Sequence, residues 1–262
     1  MPELPEVATY QKHFTQAALD RTVTSVEVAE PRVVRVSPEV LEEGLVGQSF
    51  VDTDRIGKHL FVKLSNDTWL TLHFGMTGSL RYFRDREDMP RFTKVLFGLN
   101  DGYWMAFRCP RILGRIGLAD DVEVFRKDKK LGQDALKITE EDFRERLSER
   151  KGLIKPLLMN QSFVAGLGNW IVDEMLYQAK VHPETPAKEL SEDQVEMIYR
   201  KMQHILSTAI EHEANYEDFP QDFLVTYRWL DRENHPLQKK NIERIIVGGR
   251  STYYCPDEQQ LP

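Results

Sequence analysis

The sequence predicts an α+β protein, because three kinds of pattern follow one another along the chain. An amphipathic helix extends from about residue 5 to residue 19, short apolar or alternating segments separated by turns follow to about residue 108, and helical periodicity begins near residue 139. Many short strands in one region indicate a β-sandwich. From residue 223 to residue 254 the chain returns to β propensity, with a hairpin around Gly248-Gly249.

The strand region contains six segments, separated by turn residues such as Ser65-Asn66-Asp67 and Asn100-Asp101-Gly102. These segments are Val23–Val28, Ser49–Thr53, Leu60–Leu64, Trp69–His73, Val95–Leu99 and Tyr103–Phe107. The helical region contains four segments, which are Thr139–Arg150, Ile154–Asn160, Asn169–Ala179 and Ser191–Glu211. Ser191 and Gln194 form a capping box in the last of them. Its apolar stripe, Val195, Ile198, Met202, Ile205 and Ala209, is expected to be core.

Composition limits the class of protein. With 262 residues, 41% of them hydrophobic, the chain is long enough for two globular domains, and their boundary is expected in the polar connection Arg126–Gln133. No apolar stretch approaches roughly eighteen residues, so we expect a cytosolic or nucleoid-associated protein without a membrane segment. The two cysteines, Cys109 and Cys255, form no C-x-x-C pair, which argues against a disulfide framework and a zinc site. Cys109 is interpreted as a small buried apolar residue.

The formal net charge of -7 disfavours nucleic-acid binding unless basic residues are clustered. The tail from residue 223 to residue 250 is locally basic, with six Lys or Arg residues against three acids. The basic residues are Arg228, Arg232, Lys239, Lys240, Arg244 and Arg250, and the acids are Asp231, Glu233 and Glu243. Acid-rich segments elsewhere are expected on a solvated outer face.

The first residues, Met1-Pro2-Glu3-Leu4-Pro5-Glu6-Val7, carry the strongest chemical signal. A small second residue normally allows Met1 to be removed, which would leave Pro2 with a free secondary amine. An α-amino group has a pKa of about 7.7–8.0 against about 10.4 for lysine, so it is a better nucleophile near neutral pH. Its adduct with an aldehyde carbon is a cationic iminium, which draws electrons from neighbouring bonds. The alternative is an ordinary N-terminus whose acids favour a helix dipole.

This N-terminal string resembles the signature of the formamidopyrimidine-DNA glycosylase and endonuclease VIII family of base-excision repair enzymes. The resemblance implies that Pro2 is the nucleophile, that Glu3 assists sugar-ring opening and proton transfer, and that Glu6 helps to position this end. Arg55-Ile56-Gly57-Lys58-His59 is similar to the family's R-x-G-K segment. Lys58, beside a turn glycine, is therefore expected to bind a DNA phosphate.

Two further segments resemble loops that enter the DNA. His73 to Arg81 is similar to the H-x-G-M-T-G-x-x-R loop, which implies DNA binding by His73 and filling of the vacated base stack by Met76. We expect an irregular loop here. Arg108 to Gly114 resembles the D-P-R-R-F-G loop, so Arg111 is expected to contact the orphaned base. Leu113 replaces the family's phenylalanine and Cys109 its aspartate, which affects the opposite-base preference.

The second half resembles a helix-two-turns-helix element, in which Gly166-Leu167-Gly168-Asn169 forms the turn. Free backbone N–H groups and the Asn169 side chain would then dock an anion, and the resemblance implies that this anion is DNA phosphate. It also places Lys155 near the lesion pocket and Glu174 in support of the N-terminal amine. An N-cap role for Asn169 is the alternative.

The C-terminal end departs from the family's four-cysteine zinc finger, since Cys255 is the single ligand left and zinc needs four. We therefore expect a zincless finger without cofactor, with the phosphate-binding Arg250 intact and Tyr227, Trp229, Ile245 and Tyr253 supporting the hairpin. The segment from His212 to Tyr227 is short where some relatives cap 8-oxoguanine, which predicts poor activity on that lesion.

The resemblance thus implies a catalytic β-sandwich domain at 1–130, a helix-two-turns-helix domain at 131–222 and a zincless hairpin finger at 223–262. The predicted protein is a monomeric bifunctional glycosylase and lyase acting on oxidised bases in double-stranded DNA, with Pro2, Glu3, Lys58 and Arg250 catalytic. One alternative is a damage-binding protein without catalysis. The other is a tautomerase-like enzyme with a proline base, although such chains are much shorter and begin with a strand.

Overall fold

The structure, a computed structural model, describes residues 2–229 and 235–262, and for Trp229 it describes the backbone alone. Its residues form two compact units, which we call the sandwich unit and the helical unit. The sandwich unit holds Pro2 and Glu6–Lys129, and the helical unit holds Glu3–Pro5 and the described part of Lys130–Pro262. The tail after residue 222 belongs to the helical unit. Two predictions fall on residues that the structure does not describe. They are the charges of Asp231, Arg232 and Glu233 in the tail and the removal of Met1.

The sandwich unit consists of two four-stranded antiparallel sheets with three helices. In chain order its elements are α1 (Leu4–Ala18, whose first two residues belong to the helical unit), β1 (Val23–Val28), α2 (Pro38–Leu45), β2 (Phe50–Ile56), β3 (His59–Leu64), β4 (Trp69–His73), β5 (Ser79–Phe83), β6 (Thr93–Leu99), β7 (Trp104–Arg108), β8 (Arg115–Ala119) and α3 (Val122–Asp128). The strand orders are β1-β6-β7-β5 and β2-β3-β4-β8.

Both sheets of this unit contribute to one apolar core, which confirms the predicted β-sandwich. Phe97 and Phe107 of the first sheet and Val62 and Leu72 of the second are fully buried in the same cluster. Burial is continuous along several of these strands, as in Val95–Leu99 of β6 and Met105–Phe107 of β7. Cys109 is also fully buried in this core, as the sequence predicted.

Two strands and two helices of this unit were not predicted. Strand β5 begins at Ser79, so the expected irregular loop from His73 to Arg81 is wrong in its last residues. Strand β8 contains Gly117 and Ala119, which are poor strand residues, and it forms because β4 supplies a complete antiparallel partner. Helices α2 and α3 are short and depend on N-caps at Ser37 and Asp121, whose side chains accept backbone N–H bonds.

The helical unit contains five helices, two short parallel strands and a hairpin among its described residues. In chain order they are β9 (Gln133–Asp134), α4 (Glu140–Ser148), α5 (Ile154–Leu158), β10 (Val164–Ala165), α6 (Asn169–Gln178), α7 (Glu192–Glu211), α8 (Leu224–Trp229), β11 (Glu243–Val247) and β12 (Arg250–Tyr254). The four predicted helices are confirmed, as is the capping box of Ser191 and Gln194. None of the helices in the described ranges is long and apolar enough to cross a membrane.

The prediction of β structure from Phe223 onward is wrong for its first residues, which form α8. The run Leu224-Val225-Thr226-Tyr227 has strand propensity, but the Glu174 carboxylate accepts the Val225 N–H at 2.8 Å and satisfies a donor at the start of α8. A long-range contact therefore overrides local propensity. The hairpin β11–β12 forms as predicted, around Gly248 and Gly249 at φ values of +56° and +74°.

The support of the hairpin also differs in part from the prediction. Tyr227 and Tyr253 pack, as expected, against a small cluster of Tyr177, Leu224, Leu237 and Cys255. Ile245 is half-buried but does not belong to this cluster. The side chain of Trp229 lies outside the described residues.

The capping box of α7 generates a stability prediction. Replacing Ser191 with alanine removes the acceptor for the Gln194 N–H and should lower the free energy of unfolding by about 1 kcal/mol. Denaturant unfolding measures this change. Ser207→Ala is the control, because Ser207 lies exposed in the middle of the same helix; equal effects of the two substitutions would contradict the capping role.

Candidate active site

The Glu3 carboxylate lies against the N-terminus of α6 and is almost completely buried. Its Oε1 accepts the Trp170 N–H at 3.1 Å, and its Oε2 accepts the Ile171 N–H at 3.3 Å. Two N–H groups without an intrahelical partner are thereby satisfied, and the helix dipole favours the negative charge. The expectation that these N–H groups are free to bind phosphate is therefore wrong, since the protein's own carboxylate occupies them.

Glycines make this close approach possible. Gly168 is the N-cap of α6, and a Cβ added there would lie 2.1 Å from the Glu3 Cδ atom. Gly166 has a φ of +116° and accepts the Leu4 N–H at 3.2 Å through its carbonyl. The Gly-x-Gly turn thus holds Glu3 and Leu4. Because Pro2 is bonded directly to Glu3, the same contacts limit where its nitrogen can lie.

The remaining N-terminal candidates belong to the sandwich unit. Pro2 is half-buried, and so is Glu6, which lies in the first turns of α1. The pKa of the Tyr10 hydroxyl is raised by burial and, to a smaller extent, by the nearby charge of Glu6. The role of Glu6 in positioning the N-terminal end stays a prediction.

Lys58 and His73 are neighbours in the sandwich unit. Lys58 follows Gly57, at a φ of +56°, in the tight turn between β2 and β3, and it is largely buried. His59 pairs with His73 across the sheet, with ring centroids 4.8 Å apart. Burial, and then the charge of Lys58, lowers the pKa of His73 to about 4.

His73 is consequently neutral at pH 7, and its tautomer follows from its partner. Nδ1 accepts the Gly75 N–H at 3.3 Å, so the proton is assigned to Nε2. An Nε2–H donor next to a lysine ammonium can bind one phosphate oxygen without adding a second full charge. The geometry therefore fits the expected DNA-binding role of both residues.

The two loops expected to enter the base stack lie side by side. Ser79, at the start of β5, pairs with Arg108, at the end of β7, so the loops that precede and follow them leave the sheet together. A Cβ added to Gly75 would lie 2.5 Å from the Leu113 carbonyl carbon, so only glycine allows this packing. Met76 is half-buried in the first loop.

In the second loop the side chains alternate between core and solvent. Ile112, at a φ of +56°, packs on the sandwich core, whereas Leu113 is 43% exposed and Arg111 is exposed. The Cys109 thiol accepts the Gly114 N–H at 3.2 Å, so this departure from the family loop supports the turn. Arg111 and Leu113 are thus free of the core and available to a partner.

Asn169 and Arg250 are close together in the helical unit. Asn169 is the first residue of α6, since Gly168 is the N-cap, so the alternative N-cap role does not hold. Its Nδ2 donates to the Ser251 carbonyl at 2.9 Å, and its buried Oδ1 has no hydrogen-bond partner among the described residues. Arg250 is exposed at the start of β12, one residue from Ser251. Two candidate phosphate ligands are therefore brought together.

Lys155 is completely buried, and its partner Asp173 was not found from the sequence. The Lys155 Nζ donates to Asp173 Oδ1 at 2.5 Å and to Thr252 Oγ1 at 2.6 Å. Burial raises the pKa of Asp173 to about 6 and lowers that of Lys155. The signal available in the sequence was a pair of acids, Asp173 and Glu174, in the otherwise apolar run Trp170–Tyr177. Of the two, Asp173 lies four positions after Asn169, which is helical spacing.

Glu174 is also completely buried, next to Asp173 on α6. Its two oxygens accept the Val225 N–H and the Gln178 amide, both at 2.8 Å. Burial raises its pKa to about 7. These contacts join α6 to α8, and support of the N-terminal amine by Glu174 stays a prediction.

The donor atoms around the hairpin do not fit a zinc ion. Cys255 is the only thiol near it, and its N–H donates to Gln259 Oε1 at 2.8 Å. His235 uses Nδ1 to accept the Leu237 N–H and Nε2 in a bond with Thr226 Oγ1. A structural zinc site requires four N or S ligands. Within residues 2–229 and 235–262, no group of three or more His, Cys, Asp or Glu side chains could hold a metal.

The two units match two family profiles in order. Residues 1–116 match the formamidopyrimidine-DNA glycosylase N-terminal domain, and residues 131–220 match the formamidopyrimidine-DNA glycosylase H2TH domain. A sandwich followed by a helix-two-turns-helix unit thus defines a class of DNA glycosylases.

Whole-chain comparisons identify the family. A formamidopyrimidine-DNA glycosylase of Pelotomaculum thermopropionicum is 36% identical over 100% of both chains, and one of Arabidopsis thaliana is 31% identical over 100% of this chain and 71% of its own length. A crystal structure of the Lactococcus lactis enzyme bound non-covalently to AP-site DNA has a TM-score of 0.88, with 28% identity over 99% of this chain and 100% of that chain. The chain belongs to the formamidopyrimidine-DNA glycosylase family of DNA repair enzymes, which confirms the resemblance seen in the sequence.

The contact between Gly168 and Glu3 generates a prediction for activity. Gly168→Ala places a methyl group where the Glu3 carboxylate lies, and a displacement of about 1 Å is expected to slow base excision by about 100-fold. Excision kinetics measure the change. Gly44→Ala is the control, because a Cβ there meets only the end of the Leu118 side chain. Wild-type rates for Gly168→Ala would show that the position of Glu3 is unimportant.

The raised pKa of Glu174 generates a prediction for stability against pH. The folded chain keeps this proton up to about pH 7, whereas the unfolded chain loses it near the ordinary value of 4.5. The contribution of this group to stability is therefore complete below about pH 4.5 and decreases as the pH rises to 7.

The matching variant is Glu174→Gln, which removes the titration. The unfolding free energy of the wild type relative to this variant should fall by about 3 kcal/mol between pH 4 and pH 8, as denaturant unfolding at each pH would measure. Glu211→Gln, at an exposed acid of the same unit, should leave the profile of the wild type unchanged. A difference between wild type and Glu174→Gln that does not change with pH would refute the assignment.

Proposed function

We propose that this chain is a bifunctional DNA glycosylase and AP lyase that uses the amine of Pro2. The observation that carries the proposal is the Glu3 carboxylate fixed on the N-terminus of α6, because it places a proton-transferring group directly beside the N-terminal residue. Removal of Met1 is part of the proposal. Relatives with this architecture are named formamidopyrimidine-DNA glycosylases, and solved neighbours carry AP-site or Fapy-dG DNA.

The chemistry begins with attack of the unprotonated Pro2 nitrogen on C1′ of the damaged nucleotide. The bond from C1′ to the base breaks, the base leaves with a proton, and Glu3 assists opening of the sugar ring. The product is an iminium between Pro2 and C1′, which acidifies the neighbouring C2′–H bond. Loss of that proton expels the 3′ phosphate, a second elimination expels the 5′ phosphate, and water releases Pro2.

The remaining candidates hold the DNA. Lys58 and His73 of the sandwich unit, and Asn169 and Arg250 of the helical unit, are proposed phosphate ligands. Lys58 and Arg250 carry positive charge on a chain whose net charge is -7, so binding should weaken as the salt concentration rises. One copy of the chain supplies every residue that this mechanism needs, and we propose that it works as a monomer on double-stranded DNA.

Base extrusion is assigned to the two adjacent loops of the sandwich unit. Met76 and Leu113 fill the vacated stack, and Arg111 contacts the orphaned base. Leucine offers no aromatic face, so the penalty for a wrong opposite base is expected to be smaller than with phenylalanine. We propose formamidopyrimidines, oxidised pyrimidines and hydantoins as substrates, with 8-oxoguanine a poorer one because the segment from His212 to Tyr227 is short.

Borohydride reduction separates catalysis from damage binding. Processed protein that begins at Pro2 should form a reducible crosslink with abasic-site duplex and should nick lesion-containing duplex. A protein that binds such duplexes without any crosslink would be a damage-binding protein, and the proposed function would fail.

Glu3→Gln tests the role of the carboxylate. We expect base release to fall by about 10²- to 10⁴-fold, because an amide cannot transfer the proton. Crosslinking to a preformed abasic site should fall less, since that reaction needs no base departure. Glu43→Gln, at an exposed acid of α2, is the control. Equal losses in both reactions would indicate that Glu3 only holds the N-terminus in place.

A further inference from the structure

The buried Lys155–Asp173 pair joins α6 to the hairpin strand that carries Arg250. Asp173 Oδ1 accepts from Lys155 Nζ, and Asp173 Oδ2 accepts the Tyr253 N–H at 3.3 Å. The guanidinium of Arg228 lies 3.5 Å from the same Oδ2 and 4.7 Å from the centre of the Tyr253 ring. Asp173 therefore contacts the backbone of β12 directly, and it also binds two cations, Lys155 and Arg228, that contact the same strand.

A chain of hydrogen bonds continues from this pair to Arg250 itself. Lys155 Nζ donates to Thr252 Oγ1 at 2.6 Å, and the Thr252 hydroxyl donates to the Arg250 carbonyl at 3.0 Å. The same ammonium donates its third bond to the Ser251 carbonyl at 3.2 Å. All three donors of Lys155 are thus used, and two of the three act on the two residues that follow Arg250.

Helix α6 contacts β12 at two points one turn apart. Asn169 and Asp173 are separated by four positions and face the same side of the helix. Asn169 donates to the Ser251 carbonyl, and Asp173 accepts from the Tyr253 N–H. Two contacts on one strand fix its distance and its rotation, and the exposed Arg250 begins that strand.

A fully buried ion pair is a costly way to gain stability, because both charges lose their hydration. Apolar side chains of similar size would stabilise the core as well or better. The pair instead favours one position of β12 on α6, because its charged groups have all their hydrogen-bond partners only in that position. Among the described residues the donor set near Cys255 does not fit zinc, whereas the buried pair links α6 to the hairpin without a metal ion.

We propose that Asp173 is a positioning residue for Arg250, and that the Lys155–Asp173 pair fixes the hairpin on α6 without a metal ion. This inference rests on the proposed function, because it gives Arg250 a phosphate to bind. Lys155 thereby acts through the hairpin and does not contact the lesion.

A double-mutant cycle tests the proposal. The measured quantity is the equilibrium affinity for a duplex that carries a tetrahydrofuran analogue of an abasic site, and this measurement does not depend on catalysis. Arg250→Ala should weaken binding about tenfold by removing a charge-assisted contact, and Asp173→Asn should weaken it by a similar factor. In the Arg250→Ala background, Asp173→Asn should have almost no further effect, because both substitutions remove one contact. Full additivity of the two losses would overturn the proposal.

Controls separate positioning from general damage to the fold. Far-UV circular dichroism and the thermal unfolding midpoint of each variant give the folded fraction, to which each affinity is normalised. Glu258→Gln breaks an ion pair with Lys240 in the same tail and should leave the affinity unchanged. If Asp173→Asn does not fold, Thr252→Val replaces it in the same double-mutant cycle. This substitution removes the hydrogen bond to the Arg250 carbonyl with little change in side-chain shape.

The effect of removing metal ions is an independent test of the proposal. Wild-type protein treated with a chelator should keep its affinity for this duplex and its thermal unfolding midpoint. Loss of affinity on chelation, restored by added zinc, would overturn the metal-free part of the proposal. Absence of crosslinking by the wild type would refute the proposed lyase, and the binding cycle would still decide the role of Asp173.

Discussion

The contact between the Glu3 carboxylate and the first N–H groups of α6 is the constraint on which the rest of the candidate site depends. A helix N-terminus stabilises a buried carboxylate through its unpaired N–H groups and its dipole. The contact explains both glycines of the Gly166-Leu167-Gly168 turn, because a Cβ at either position would overlap Leu4 or Glu3. It also fixes the residue that follows the proposed nucleophile.

Helix α6 organises the helical unit through polar groups that are unusual for a buried helix. Its N-terminus binds Glu3, Asp173 binds Lys155 and β12, and Glu174 binds the start of α8. Each of these contacts reaches a segment distant in sequence. Burial raises the pKa of both acids, so the helix retains them at a cost in electrostatic free energy. Such a cost is typical of groups kept for position or function.

The sequence predicted the fold class and most elements, because amphipathic periodicity and turn residues act locally. Val23–Val28, Trp69–His73 and the capping box of Ser191 needed no information from elsewhere in the chain. Helices α2 and α3, which depend on local N-caps, were missed because they are short, whereas two other misses arose because a distant partner decided the structure. Strand β8 depends on β4, and α8 depends on Glu174, a residue about fifty positions earlier.

The candidate site shows the same difference between features set by local sequence and features set by distant partners. The residues that match family motifs were found by their spacing, whereas the partners that hold them were not. Local sequence does not identify Asp173 as the partner of Lys155, and two of the backbone N–H groups expected to bind an anion at the start of α6 bind Glu3. In this protein, sequence patterns identify the candidate reactive groups, and tertiary packing determines what each group contacts.

The most direct test of the account is to locate the covalent bond. Protein beginning at Pro2 would be reduced with borohydride on abasic-site DNA and digested, and the modified peptide would be sequenced by mass spectrometry. The account predicts that the sugar remnant lies on the Pro2 nitrogen, next to an unmodified Glu3. A remnant on a lysine such as Lys58, with the N-terminal peptide unmodified, would contradict it.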